Sequence, residues 1–243
     1  MFTSRSHTGK VKRNNQDYLG IDEALYCAVI ADGVSGNAHG EVASQLAVDA
    51  CLHYLNLEHS TLMINPEKEL ANSLKVANEE IITIQRNEPK YQNMSTTLAC
   101  FSIQNQSVSY AWVGDSRIYL IRTSDQSVRM LTTDHTLDQS KIDPDLAPDL
   151  YQRAPNILTR SVGSILLLKP DTGTIAIQQG DLILACTDGL TNHVSDELLL
   201  EYALQQSALE DLAEKLLERA LDCGGKDNIS LVLAELSEPN RCI

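Results

Sequence analysis

Apolar residues along this chain follow two rhythms, and the point where one gives way to the other marks the elements. Leu25–Ala31 (LYCAVIA) is an unbroken apolar run, as expected for a strand buried on both faces. It stops at Asp32-Gly33, a turn signal. From Glu41 to about Leu57 the spacing becomes helical, with Val42, Leu46, Ala50 and Leu55 on one side. A second helix is predicted from about Glu67 to Arg86, carrying Leu70, Leu74, Ala77, Ile81 and Ile84 on one face. Short β-rich segments follow: Thr96–Ile103, Ser107–Val113, Arg117–Arg122 and Ser127–Leu131. Separated by polar turns, they predict an antiparallel meander.

The stretch from about Thr133 to Arg153 is polar, lacks apolar periodicity and holds Pro144 and Pro148. It is expected to be a mobile excursion over the surface, a flap-like segment at 133–153. Strands are predicted to resume at Thr172–Ile177 and Leu182–Thr187. Helices follow at Ser195–Gln205 and Leu209–Leu221, then a last strand at Ile229–Leu236. No repeat, low-complexity tract or linker interrupts the chain, so residues 1–243 are expected to form a single domain. Runs of strands and runs of helices, rather than strict alternation, predict an α+β fold. Its helix pairs should pack on the outer faces of stacked antiparallel sheets.

Charge and cysteine usage narrow the function classes. The chain carries 33 acidic and 19 basic residues, a formal net charge of −14. Such a surface repels nucleic acid and anionic membranes, so neither is an expected partner. The six cysteines include no CxxC pair, which argues against a zinc site. Cys27, Cys100 and Cys186 lie in apolar strand-like runs and read as reduced core residues, as in a cytoplasmic protein. The opening MFTSRSHTGK lacks the apolar region of a signal peptide, and no apolar run is long enough to span a bilayer.

Acidity becomes specific at five aspartates. Asp32 ends a strand and precedes Gly33, Asp115 ends a strand after Gly114, and Asp188 ends a strand before Gly189. Asp227 follows Gly224-Gly225-Lys226 and opens the last strand, while Asp17 follows Asn14-Asn15-Gln16 and precedes the first. A lone Asp-Gly is ordinarily a turn. Carboxylates at the mouths of several strands can instead meet at one sheet edge, where their charges repel unless a cation sits among them. Hard cations such as Mg²⁺ and Mn²⁺ take oxygen ligands, so the spacing suggests a carboxylate-based dimetal site.

The ordered motifs carry the pattern further. Asn-Asn-Gln-Asp at 14–17, ADGVSGNAHGEVAS at 31–44, MSTT at 94–97 and WVGDSRIYLIR at 112–122 occur in that order. LTTDHT at 131–136, LTRSVG at 158–163, GDLILACTDGL at 180–190 and GGKDNIS at 224–230 follow them. As a set they closely resemble the metal-dependent PPM (type 2C) serine/threonine phosphatases in their bacterial form. The resemblance covers nearly the whole chain and implies an α-β-β-α sandwich. It implies Asp32 as the ligand bridging two Mg²⁺ or Mn²⁺ ions, with the Gly33 carbonyl on one of them. Asp188 and Asp227 complete the first metal, Asp115 helps hold a third with Asp188, and Asp17 positions metal-bound water. The implied reaction is hydrolysis of phosphoserine and phosphothreonine by hydroxide shared between two cations, with phosphorylated proteins as substrates. A monomer opposing a bacterial Ser/Thr kinase is the expected context.

This chain departs from the family at named places. The usual phosphate-gripping arginine, five residues before Asp17, is Lys12, with Arg13 beside it. Lysine keeps the charge and loses the two-pronged donor geometry. Register favours Lys12, and Arg13 is the alternative. Val34-Ser35-Gly36-Asn37 replaces a glycine-rich turn, and Ser95 stands where glycine precedes Thr-Thr. His39 lies close by at a helix start, and His135 reads as a loop anchor. A catalytically weak, phosphoprotein-binding scaffold is the competing reading, and a two-metal nuclease a third. Such a scaffold would be expected to have lost part of the Asp32, Asp188 and Asp227 set, which is intact here. The acidic charge opposes the nuclease.

Overall fold

The structure, a computed structural model, describes residues 1–34, 39–164, 166–205 and 208–236. The altered turn at 35–37 and Cys242 therefore lie outside the described residues. In chain order the strands are β1 (Phe2–His7), β2 (Asp17–Asp22), β3 (Cys27–Asp32), β4 (Leu98–Gln104) and β5 (Ser107–Val113). They continue as β6 (Arg117–Arg122), β7 (Ser127–Met130), β8 (Asp171–Ala176), β9 (Asp181–Cys186) and β10 (Ile229–Glu235). The helices are α1 (Gly40–Leu57), α2 (His59–Leu62), α3 (Pro66–Asn87), α4 (Pro148–Arg153), α5 (Asp188–Thr191), α6 (Asp196–Gln205) and α7 (Leu209–Asp222).

The strands form two antiparallel sheets of five, ordered β1-β10-β9-β6-β7 and β2-β3-β4-β5-β8. Unbroken apolar strands follow from burial on both faces. In β3, Cys27, Val29 and Ala31 pack under α1 and α3, while Ala28 and Ile30 face the other sheet. In β9, Leu182, Leu184 and Cys186 pack under α6 and α7, while Ile183 and Ala185 face inward. Three apolar layers therefore separate four layers of structure, and the expected α-β-β-α sandwich is what the chain forms. Helix α3 begins where Asn65 accepts the Lys68 N–H and Pro66 takes the first turn, where its missing N–H costs nothing.

Two details differ from the sequence reading. The four strands from β4 to β7 are not one meander. They are two hairpins in different sheets, because the chain crosses between sheets at Gly114–Ser116, with Gly114 at φ 109°. Strands β1 and β2 were not predicted as strands. Strand β1 (FTSRSH) is a mostly polar edge strand with one buried residue, Thr3, so it carries little apolar signal.

Candidate active site

The mouths of the strands meet at one end of the sandwich. Register places Asp17, first in β2, opposite Asp32, last in β3. Asp115 lies in the crossover from β5 to β6, Asp188 opens α5 straight after β9, and Asp227 precedes β10. Close backbone approach tightens this end. A Cβ on Gly33 would strike the backbone of Gly40 at the start of α1, and one on Gly189 would strike the Asn228 carbonyl. Only glycine fits either place.

Asp32, Asp115, Asp188 and Asp227 line a cavity of about 270 Å³ together with Thr97, Asn156, Leu158 and Asn192. Asp32 and Asp188 stand within hydrogen-bonding reach of each other. Asp17 lies behind them, buried, with Oδ2 accepting the Thr187 hydroxyl at 2.9 Å. Its Oδ1 is buried and accepts no hydrogen bond from the described residues. A larger groove of about 750 Å³, lined by residues such as Phe2, Tyr26 and Ile103, opens at the opposite end. Among its described lining residues the one carboxylate is Glu235.

The electrostatics show strain among like charges. Burial pushes Asp17 up to about 7, opposed by hydrogen bonds from Ser230 and Thr187 and reinforced by the charges of Asp188 and Asp227. Asp115 rises to about 7, through burial first and then the charges of Asp188 and Asp134. Asp32 rises well above the usual carboxylate range through burial and then the charges of Asp17, Asp188, Asp115 and Asp227. Asp188 rises through burial and the charge of Asp227, and is eased by Asn192, Asp32 and Lys12. Lys12 Nζ stands 2.6 Å from Asp227 Oδ1.

This donor set fits hard divalent cations. It is all oxygen and mutually repelling, and one carboxylate oxygen is buried without a partner. The fit lies in chemistry and not in preset geometry. Among the described residues no three His, Cys, Asp or Glu side chains are already drawn into a single ligand cluster. Four of the carboxylates line the cavity, with Asp32 and Asp188 in hydrogen-bonding reach and Lys12 drawing on Asp227.

The sequence matches the family described as protein phosphatase 2C over residues 4–234. The chain belongs to that family. It is a protein phosphatase by that membership, and is 34% identical over 238 residues to protein phosphatase PhpP of Streptococcus pneumoniae, covering 95% of each chain. The crystal structure of the Mycobacterium tuberculosis serine/threonine phosphatase PstP/Ppp superposes with a TM-score of 0.83 at 32% identity. That match covers 98% of this chain and 99% of the other. A solved structure of the PstP catalytic domain in complex with two manganese ions superposes with a TM-score of 0.81 at 31% identity, over 97% of both chains.

The fold brings the carboxylate candidates together and leaves two other candidates aside. Asp17, Asp32, Gly33, Asp115, Asp188 and Asp227 gather at one end, and Lys12 reaches them through Asp227. Arg13 is exposed. His39, left-handed at φ 67°, packs edge-on against Tyr91 at 5.0 Å and stands 3.8 Å from Glu41. Supporting residues escaped the sequence reading. Thr97 Oγ accepts the Asp32 N–H at 2.8 Å, and Asn192 Nδ2 donates to Asp188 at 3.3 Å. Asn228 donates to the Thr8 and Asn14 carbonyls at 2.8 and 3.0 Å and accepts the Gln16 N–H at 2.8 Å. It thereby seats the loop that carries Lys12. Its place in GGKDNIS, next to Asp227, was the available signal.

Among the described residues no helix is long and apolar enough to cross a membrane.

Proposed function

We propose that this phosphatase hydrolyses phosphoserine and phosphothreonine in proteins with two Mg²⁺ or Mn²⁺ ions held by Asp32, Asp188, Asp227 and the Gly33 carbonyl. Asp115, with Asp188, holds a third. The observation that carries the reading is the convergence of four strand-end aspartates on one cavity, in a chain whose relatives are named serine/threonine phosphatases. When bound, the cations supply Lewis-acid charge that activates water and offsets charge on phosphoryl oxygens.

The chain's own residues do the rest. Asp17 Oδ1 has no donor among the described residues, so it is placed to accept a hydrogen bond from water beside Asp32. Lys12 supplies a positive side chain beside Asp227 and Asp188, and it orients a phosphate on the side away from the carboxylates. Asn156 and Leu158, after the segment at 133–153, form a wall of the cavity. That segment acts as a flap over the site, within a single domain spanning 1–243.

The chain works as a monomer in the cytoplasm, where its substrates are phosphoproteins made by a Ser/Thr kinase. The five described cysteines are all free, in keeping with a reducing compartment. The scaffold reading is not favoured, because no metal-site carboxylate has been lost. The test is turnover of a phosphothreonine peptide with Mn²⁺, with and without chelator, for the natural chain and Asp32→Ala. Activity should require the metal and vanish in the variant. Near-normal turnover of Asp32→Ala in metal-replete buffer would sink the dimetal assignment.

A further inference from the structure

Asp115 sits in a three-residue turn, and each neighbour in that turn is tied down from outside it. Ser116 Oγ lies 2.7 Å from Thr97 Oγ. Arg117, first in β6, donates to both carboxylate oxygens of Asp134 at 3.0 and 2.7 Å. Gly114 is held twice by His135: its N–H donates to Nδ1 at 3.1 Å, and its carbonyl accepts the His135 N–H at 3.0 Å. The imidazole stacks on Trp112 at 5.7 Å. A backbone N–H can only donate, so Nδ1 is the acceptor and the ring proton sits on Nε2.

The other side of the ring reaches the flap's exit. Nε2 lies 3.2 Å from Asp171 Oδ2, and Arg160 grips the two oxygens of Asp171 at 2.8 and 3.0 Å. The backbone closes the loop, because Thr159 donates to the His135 carbonyl at 2.7 Å and Thr136 bridges Leu158. One buried imidazole thus joins the turn bearing Asp115 to both ends of the segment that delivers Asn156 and Leu158 to the cavity.

We propose that His135 is a positioning residue that fixes Asp115 through the Gly114 amide, in register with the base of the flap. The third cation and the docked phosphoprotein then meet in one arrangement. The proposal rests on the reading of Asp115 given above.

The test uses three variants of the full chain. His135→Phe keeps the ring and its stacking but has no acceptor. His135→Asn places an amide oxygen where Nδ1 stands, and His135→Gln places it where Nε2 stands. On a phosphothreonine peptide with saturating Mn²⁺, Phe and Gln should lower kcat/KM about tenfold, the size expected when a buried N–H loses its acceptor. Asn should stay within about twofold of the natural chain. In an Asp115→Ala background these differences should disappear, since the residue being positioned is gone. Equal losses for Asn and Gln, or undiminished losses in that background, would overturn the proposal and leave a merely structural histidine.

Hydrogen exchange of the Gly114 amide gives a readout independent of metal. Protection should be lost in Gln and Phe and kept in Asn, and equal protection in Asn and Gln overturns the proposal even if Phe fails to fold. If Asp115→Ala alone leaves activity unchanged, the reading of Asp115 has failed and positioning through it fails too. Intact Gly114 protection would then separate that failure from the absence of the bond itself.

Discussion

Lys12 is the residue whose role the structure lets one weigh in numbers. Its ammonium lies 2.6 Å from Asp227 Oδ1, with the two side chains 29% and 36% exposed. A pair this open to water contributes about 0.2–1 kcal/mol, because solvent screens it. A charged hydrogen bond to phosphate contributes about 1.5–3 kcal/mol. Substrate phosphate draws Lys12 partly away from Asp227, so the net gain is the difference, about 1–2 kcal/mol. Lys12→Ala should therefore lower kcat/KM about 5- to 30-fold, mainly through KM. Lys12→Arg keeps the charge and adds a second donor, so it should retain activity or gain some. Arg13→Ala should be nearly silent, because Arg13 is exposed whereas Lys12 is half-buried against Asp227. The assay is steady-state kinetics of the three variants on one phosphopeptide at saturating Mn²⁺. Calorimetric Mn²⁺ titration serves as a control, since removing a cation beside Asp227 and Asp188 should not weaken metal binding. A large loss in Arg13→Ala with Lys12→Ala unaffected would refute the reasoning and assign the phosphate to Arg13.

Asp115→Ala should leave the core pair of cations bound and the fold intact while lowering phosphopeptide turnover. Metal stoichiometry from anomalous scattering checks it, and loss of the core pair would make Asp115 a primary ligand. Shortening the polar segment within 138–152 should reduce activity on phosphoproteins far more than on a small aryl phosphate, and equal losses would mark a structural loop. Stability should also depend on His135, which is held below its ordinary 6.5 by burial first and then by the Arg160 charge, against the pull of Asp171 and Asp134. With its folded value depressed, the unfolded chain binds more protons below about 6.5. The contribution is then whole above that pH and is lost as pH falls through the folded value. Asp171, held low chiefly by the Arg160 hydrogen bonds, extends the loss in the same direction below its ordinary 3.8. Urea melts of the Mn²⁺-loaded natural chain and His135→Asn from pH 8 to 5 should show the natural chain losing its relative advantage below about 6.5. Parallel curves would contradict the depressed value.

What the sequence revealed and what it hid divide along a physical line. Strands buried on both faces announce themselves locally, because each of their residues must be apolar. Thus β3, β9 and β10 were predicted within a residue or two of where they lie. Strand β1 hid because an edge strand with one buried residue has no such constraint. Helices α2 and α5, of four residues each, are too short to show a 3.6-residue rhythm. The split of β4–β7 into two sheets was not legible either. Hairpin neighbours can be guessed from short turns, but whether β5 continues into the same sheet is decided by its pairing with β8, some sixty residues on.

The site divides in the same way. Each carboxylate could be named from its own strand end, because a glycine or polar turn after an apolar run is a local signal. Their meeting is a matter of register and crossover: Asp17 faces Asp32 only because β2 and β3 form one hairpin in that alignment. The contacts that tune the cluster are longer in range still. Lys12 touches Asp227 across nearly the whole chain, and Asn228 seats the Lys12 loop by three hydrogen bonds to backbone on that same segment. Such contacts leave no periodic trace, since a polar side chain that binds a distant backbone looks, in sequence, like any other polar side chain. His135 shows the consequence. Its local context marks it as a loop anchor, and the structure agrees that it anchors a loop. Only the identity of what it anchors, the amide next to Asp115, turns an ordinary buried histidine into part of the chemistry. Residues that bear charge at a site are thus readable one at a time, whereas the residues that hold them in place become readable only once the chain is folded.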